Sequence, residues 1–197
     1  MVLAPVVVLA LSATSVPAAT KTTKASTKST ASKSAVDPNA PEVLSPGDIP
    51  DNIAFVPYKP AGGGFSVTTP EGWSRKTTAA GAVFTDKYNI IQIESVASPA
   101  APTPASASAT VKQKFSASKG FVLGKAVTVK RKAGMAVLVT YLLSSVPNEV
   151  TGKTIAVAVE RYEFHKGATS VVLTLSGAKG ADNVDPWKIV TDSFTWV

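Results

Sequence analysis

The run KAVTVKRK-AG-MAVLVTYLL at residues 125–143, followed by TIAVAVERYEFH-KG-ATSVVLTL at 154–175, constrains this chain more than any other feature. β-branched and apolar residues alternate or run on over that length, and two short turn signals, Ala133-Gly134 and Lys166-Gly167, interrupt them. The pattern predicts three or four antiparallel strands in succession. Met135–Leu143 is apolar almost throughout, as in a strand covered on both faces. Such a sheet needs at least one further layer to bury its apolar faces.

The flanking segments supply those layers. Ile53–Pro57 reads as a short edge strand, Gly62-Gly63-Gly64 as a hinge or turn, and Phe65–Thr69 as a half-buried strand ending in the turn Pro70-Glu71-Gly72-Trp73. Ala82–Asp86 and Asn89–Val96 read as a strand pair joined through Lys87-Tyr88, and residues 97–104 as a loop. From Pro104 to Lys119 the β-branched density falls, and Ala107, Val111 and Phe115 recur at helical spacing before Gly120 ends the segment. Near the end, Asp185 is expected to cap a helix whose first residue is Pro186. Trp187, Ile189 and Val190 would bury one side of it, and a final strand would return Phe194 and Trp196 to the sheet. The expected domain is α+β, an antiparallel sheet flanked by helices, over residues 53–197.

The N-terminal quarter is of a different kind. Val2–Leu11 is almost wholly apolar and is followed by Val16-Pro17-Ala18-Ala19, so residues 1–19 resemble a secretory signal peptide, although no positive residue precedes the apolar run. About ten apolar residues are too few to span a bilayer. Residues 20–35 hold only Thr, Ser, Lys and Ala, and prolines 38, 41, 46 and 50 follow. Residues 20–52 are therefore expected to be a disordered tether. With no cysteine in the chain, no disulfide, thiolate nucleophile or lipidated cysteine is expected, and an oxidising compartment suits it.

Together the motifs GFSVTTPEGW, FTD, NIIQIESV, AGMAVLVTY, RYEFHKGATSVVLTLSG and DPWKIVTDSFTW resemble the PsbP-like domain over residues 53–197. That family includes an extrinsic photosystem subunit and exported actinobacterial proteins and lipoproteins. The resemblance implies an antiparallel sheet flanked by helices and a non-catalytic binding or assembly role. A Ser/Thr/Lys stalk behind an export signal fits a bacterial envelope better than photosynthesis.

Residue types for catalysis are sparse. His165 is the single histidine; on a strand it shares a face with Glu163 and Arg161, and no Gly-x-Ser-x-Gly elbow accompanies it. Glu160 and Glu163 fall on opposite faces of their strand, which suits no paired-carboxylate site. Thr151-Gly152-Lys153-Thr154 imitates the end of a phosphate loop, but Pro147 stands where that motif needs glycine. Asp182, Asn183 and Asp185 are read as cap and turn rather than as a cation site. No enzyme activity, metal or cofactor is expected.

Charge offers the main binding hypothesis. The net charge of +7 resides in residues 53–197, which hold sixteen Lys and Arg against nine Asp and Glu. Lys125, Lys130, Arg131 and Lys132 beside the turn, with Lys112 and Lys114 on the helix, are the expected contact residues for an envelope protein or anionic envelope component. Nucleic acid is not expected, because the run lacks interleaved aromatics. The alternative is a carrier of a small apolar or lipid-like ligand in a cleft lined by Trp73, Phe84, Tyr141 and Tyr162.

Overall fold

A computed structural model describes residues 45–148 and 150–197. The signal-peptide-like segment and the tether as far as residue 44 lie outside the described residues. In chain order the elements are β1 (Phe55–Tyr58), β2 (Phe65–Pro70), β3 (Ser74–Thr78), β4 (Gly81–Asp86), β5 (Asn89–Ala97), α1 (Pro104–Phe115), β6 (Val122–Arg131), β7 (Gly134–Ser144), β8 (Ala156–Lys166), β9 (Thr169–Ala178), α2 (Val184–Ser193) and β10 (Thr195–Trp196).

Two sheets result. A seven-stranded antiparallel sheet runs β3-β4-β5-β9-β8-β7-β6, and a three-stranded one runs β1-β2-β10. The β5–β9 pairing welds the meander β3-β4-β5 to the meander β6-β7-β8-β9. Register fixes which side chains share a face. Ile93, Leu173, Tyr162 and Leu138 form one cross-strand row on the front face. Ile90, Ser176, Val159 and Tyr141 form a row on the back.

The front face carries the main core. Ile91, Ile93, Leu173, Leu175 and Phe164 pack there against Val67, Val190 and Phe194, all nearly inaccessible to solvent. The Phe164 and Phe194 rings stack with centroids 4.2 Å apart. Burying a side chain such as Phe194 stabilises the fold by about 1.5–3 kcal/mol. The return of Phe194 and Trp196 to the core is as expected, but β10 joins β2 of the small sheet. On the back face α1 covers only part of the sheet: Ala107 and Val111 meet Val137, Val139, Tyr141 and Val159. β7 is therefore apolar on both sides because a layer lies over each.

Several boundaries differ from expectation for physical reasons. α1 stops at Phe115, with Ser116 as its C-cap, rather than at Lys119; Thr103 and Ser106 form a reciprocal capping box at its start. α2 begins at Val184, so Asp185 lies inside the first turn and Asn183 holds the cap position without a side-chain cap bond. Asn183 is committed elsewhere: its Oδ1 accepts from the Ile49 N–H at 2.8 Å, and its Nδ2 donates to the Gly47 carbonyl and to Asn89 Oδ1. Ile189 is 45% exposed, and Thr191 takes the inward position instead. Ile49 is only 2% exposed, so the folded domain starts ahead of residue 53 and takes in part of the expected tether. β3, Ser-Arg-Lys-Thr-Thr, has no apolar face to announce it and exists through its ladder with β4.

Candidate functional site

The uncovered part of the back face holds a cavity of about 710 Å³. Its floor follows from strand alternation. Ile90 and Gln92 come from β5, Thr174 and Ser176 from β9, Val157 and Val159 from β8, and Tyr141 and Leu143 from β7. One wall is Phe115 at the C-terminal end of α1. The other walls are the β4–β5 turn at Lys87-Tyr88 and the β7–β8 connection, including Val146, Asn148, Lys153 and Ile155. The space exists because α1 packs on β6 and β7 and leaves β5 and β9 bare on that side.

The wall positions are locally determined. Lys87 has φ 50°, the single positive value among described non-glycine residues, and this tight turn returns β4 into β5. Asn148 Oδ1 accepts from the Val150 and Thr151 backbone N–H groups at 3.1 and 2.9 Å, which folds the connection back on itself. At the α1 wall the Phe115 and Tyr141 rings stack 5.2 Å apart. Burial, partly offset by Arg161, raises the Tyr141 phenol to about 12, so it stays protonated and available as a donor at neutral pH. Tyr141, Gln92, Thr174 and Ser176 have no side-chain hydrogen-bond partner among the described residues.

Deeper on the same face, Arg161 Nε lies 3.0 Å from Glu163 Oε1, both largely buried. His165 Nδ1 is 3.1 Å from Ser170 Oγ. His165, Glu163 and Arg161 do share a face, as expected, but Glu163 is engaged by Arg161 and the histidine by a serine. Among the described residues no cluster of three metal-ligating side chains occurs. Glu160 lies on the opposite, front face and accepts from the Tyr162 hydroxyl at 2.7 Å.

The four aromatic residues expected to line a cleft do not line a common one. Phe84 and Tyr162 are buried in the front core and Trp73 packs against it, while Tyr141 lines the back cavity. The reason is period two: Tyr162 pairs with Leu138, an odd number of positions from Tyr141, so the two rings project from opposite faces. The residues missed were mostly aliphatic, such as Ile90, Val157 and Val159, whose signal was an apolar side chain on a strand face with no helix assigned to cover it.

The basic residues also separate. Lys112 and Lys114 are exposed on α1, and Lys125 and Lys130 on β6. Lys132 follows the strand and faces α2, where it lines a cavity with Lys188 and Asp192. Arg131 is a structural residue. Its Nη2 donates to the Tyr162 hydroxyl at 2.8 Å, its Nε donates to Thr191 Oγ1 at 2.9 Å, and Asp192 stands 3.8 Å away. The Lys188 ammonium hydrogen-bonds Asp192 and, with Arg131 and Lys132, holds its carboxyl below the usual range. Burial and the bond to Glu160 push the Tyr162 phenol well above its ordinary value.

The solution structure of cyanobacterial PsbP (CyanoP) from Synechocystis sp. PCC 6803 is similar at a TM-score of 0.55 and 15% identity, over 74% of this chain and 94% of that one. The Saccharomyces cerevisiae Ran-binding protein Mog1p gives 0.49 at 10% identity, over 72% and 95%. LpqN of Mycobacterium tuberculosis, described as involved in cell envelope biogenesis, gives 0.45 at 15%, over 75% and 92%. No family profile and no curated protein matches the sequence. The antiparallel sheet with a layer on each face described above and its likeness to CyanoP make this an α+β domain of PsbP-like fold.

Proposed function

We propose that this protein is an exported, non-catalytic binding module of the bacterial cell envelope whose back-face cavity holds a small molecule with an apolar body. The single observation that carries this reading is the cavity of about 710 Å³, within the 300–1,000 Å³ usual for ligand sites. Its aliphatic floor and unpartnered polar side chains match the make-up of such sites. The non-catalytic reading is supported by His165 Nδ1 and Glu163 Oε1 being directed to Ser170 and Arg161 rather than to each other. Export and envelope residence rest on the N-terminal sequence. Among the described residues no helix is long and apolar enough to cross a membrane.

Titration with the neutral, environment-sensitive probe N-phenyl-1-naphthylamine tests the cavity. Saturable enhancement of its emission is expected, with loss in Val157→Trp, which fills the floor. Equal enhancement in both proteins, with both folded by circular dichroism, would overturn the reading.

A second reading keeps the basic surface. Lys112, Lys114, Lys125 and Lys130 are exposed and have no ion-pair partner among the described residues, so their charge is available to an anionic envelope component. Such docking weakens with salt, because exposed charges are screened over about 8–10 Å at physiological ionic strength. Binding unchanged between low and high salt removes this second reading.

A further inference from the structure

We propose that the cavity's ligand is an anionic amphiphile, its carboxylate or phosphate head held between Lys87 and Lys153 and its apolar chain laid across Ile90, Val157 and Val159. The inference rests on the reading of the cavity as a ligand site and specifies what the site takes. Three observations carry it.

The first is charge. Lys87 and Lys153 both line the cavity, and no carboxylate does so among the described residues. Neither ammonium has an ion-pair partner among the described residues. Both are exposed, at the rim of the cavity, where the ammonium groups can reach an anionic head in the mouth. Two uncompensated cations beside an apolar floor favour a negative group on the occupant.

The second is placement. Lys87 belongs to the β4–β5 turn and Lys153 to the β7–β8 connection, two separate walls. Lys87, Tyr88 and Asn148 also border a smaller cavity of about 470 Å³, which puts the turn beside the connection that carries Lys153; Asp48 lines that smaller cavity too, its carboxylate accepting from the Ser45 and Asp182 N–H groups. The cations therefore stand toward one end of the site. The left-handed backbone of Lys87 costs about 1 kcal/mol, and glycine or asparagine would be the ordinary choice there.

The third is the shape of the floor. Ile90 and Val159 flank Ser176 in one cross-strand row, with Val157 the next back-face position along β8. A flexible chain fits such branched aliphatic ridges. A planar base is less well served, since the Tyr141 ring is already stacked on Phe115. Thr174 and Gln92 oppose one another in the adjacent row and offer hydrogen bonds to any hydroxyl on the chain.

The test is competition for the bound naphthylamine probe by laurate, dodecyl phosphate and dodecanol, on the wild type and on Lys87→Gln/Lys153→Gln. One of the two anions is expected to displace the probe at about tenfold lower concentration than dodecanol, a difference of about 1.4 kcal/mol. That advantage is expected to vanish in the double variant while dodecanol is unchanged. Whichever anion is preferred identifies the head as carboxylate or phosphate. Equal displacement by all three, or an anion advantage that survives the double substitution, overturns the head-group assignment and leaves the cavity as an apolar site. Failure of the probe itself to bind overturns the cavity reading and this inference with it.

Discussion

The side-chain oxygen of Asn183 accepts a hydrogen bond from the backbone N–H of Ile49 at 2.8 Å, across 134 residues of sequence. With the Gly47 carbonyl and Asn89 Oδ1 on its amide nitrogen, Asn183 ties the entry of the domain to the start of α2 and to β5. Asn183→Ala would leave Ile49 N–H without a partner and remove two buried bonds, so a loss of about 3 kcal/mol is expected in urea unfolding. A chain beginning at residue 53 should be destabilised similarly relative to one beginning at residue 44, since it loses the buried Ile49. Equal stability of the two would show that residues 45–52 are only tether.

Gly177 abuts the same asparagine pair. A Cβ there would lie 2.5 Å from Asn89 Oδ1 and 2.8 Å from Asn183 Nδ2. Gly177→Ala is expected to cost about 1–3 kcal/mol by pushing the pair apart, and hydrogen exchange at Ile49 N–H should rise with it.

Arg131 should separate from its lysine neighbours in a mutational series. Arg131→Ala removes the bonds to the Tyr162 hydroxyl and Thr191 Oγ1 that tie the sheet to α2, leaving Tyr162 with Glu160 alone and Asp192 with Lys188, so about 2–4 kcal/mol should be lost in thermal or urea unfolding. Lys130→Ala should change stability by no more than about 0.5 kcal/mol. Comparable losses in the two would contradict the structural role assigned to Arg131.

Two tyrosines and one aspartate set the expected pH limits. The Tyr141 phenol is raised to about 12 from an ordinary 10.0, and that of Tyr162 is raised as well, by burial and Glu160. A raised folded value means the stabilisation is complete below the unfolded pKa and is lost as pH climbs through the folded one. Tyr141→Phe and Tyr162→Phe should therefore flatten the fall in stability between pH 10.0 and about 12. Asp192 is lowered from 3.8, chiefly by the Lys188 hydrogen bond, so its contribution is present above that value and fades as pH falls below it. Asp192→Asn should remove that part of the acid limb.

Lys87→Gly should relax the left-handed turn and raise stability by up to about 1 kcal/mol, while weakening displacement of the probe by the preferred anion. A gain in stability with no change in anion preference would reduce Lys87 to a turn residue.

The sheet was legible because its strands carry a period-two or continuous apolar signal, from Phe65–Pro70 through Thr169–Ala178. β3 was not, because an exposed edge strand held by ladder bonds needs no apolar residue. The start of α2 was misplaced by two residues because Asn183, the residue before it, spends its side chain on a contact 134 positions away. The aromatic residues of the expected cleft divide for a related reason: Phe84 and Tyr162 fill the front core, while Tyr141 lies on the back. The cavity depends on where α1 lands over the back face, and no local signal encodes that. Arg131 resembles its basic neighbours in sequence, but its front-face position on β6 brings the guanidinium to the Tyr162 hydroxyl.

The central claim is the location of binding, and amide chemical-shift mapping tests it most directly. On addition of laurate or the naphthylamine probe, shifts are predicted at Ile90, Thr174, Ser176, Val157 and Lys153, with α2 and the small sheet unmoved. Shifts confined to Lys112, Lys114, Lys125 and Lys130, or to α2, would contradict a back-face cavity site.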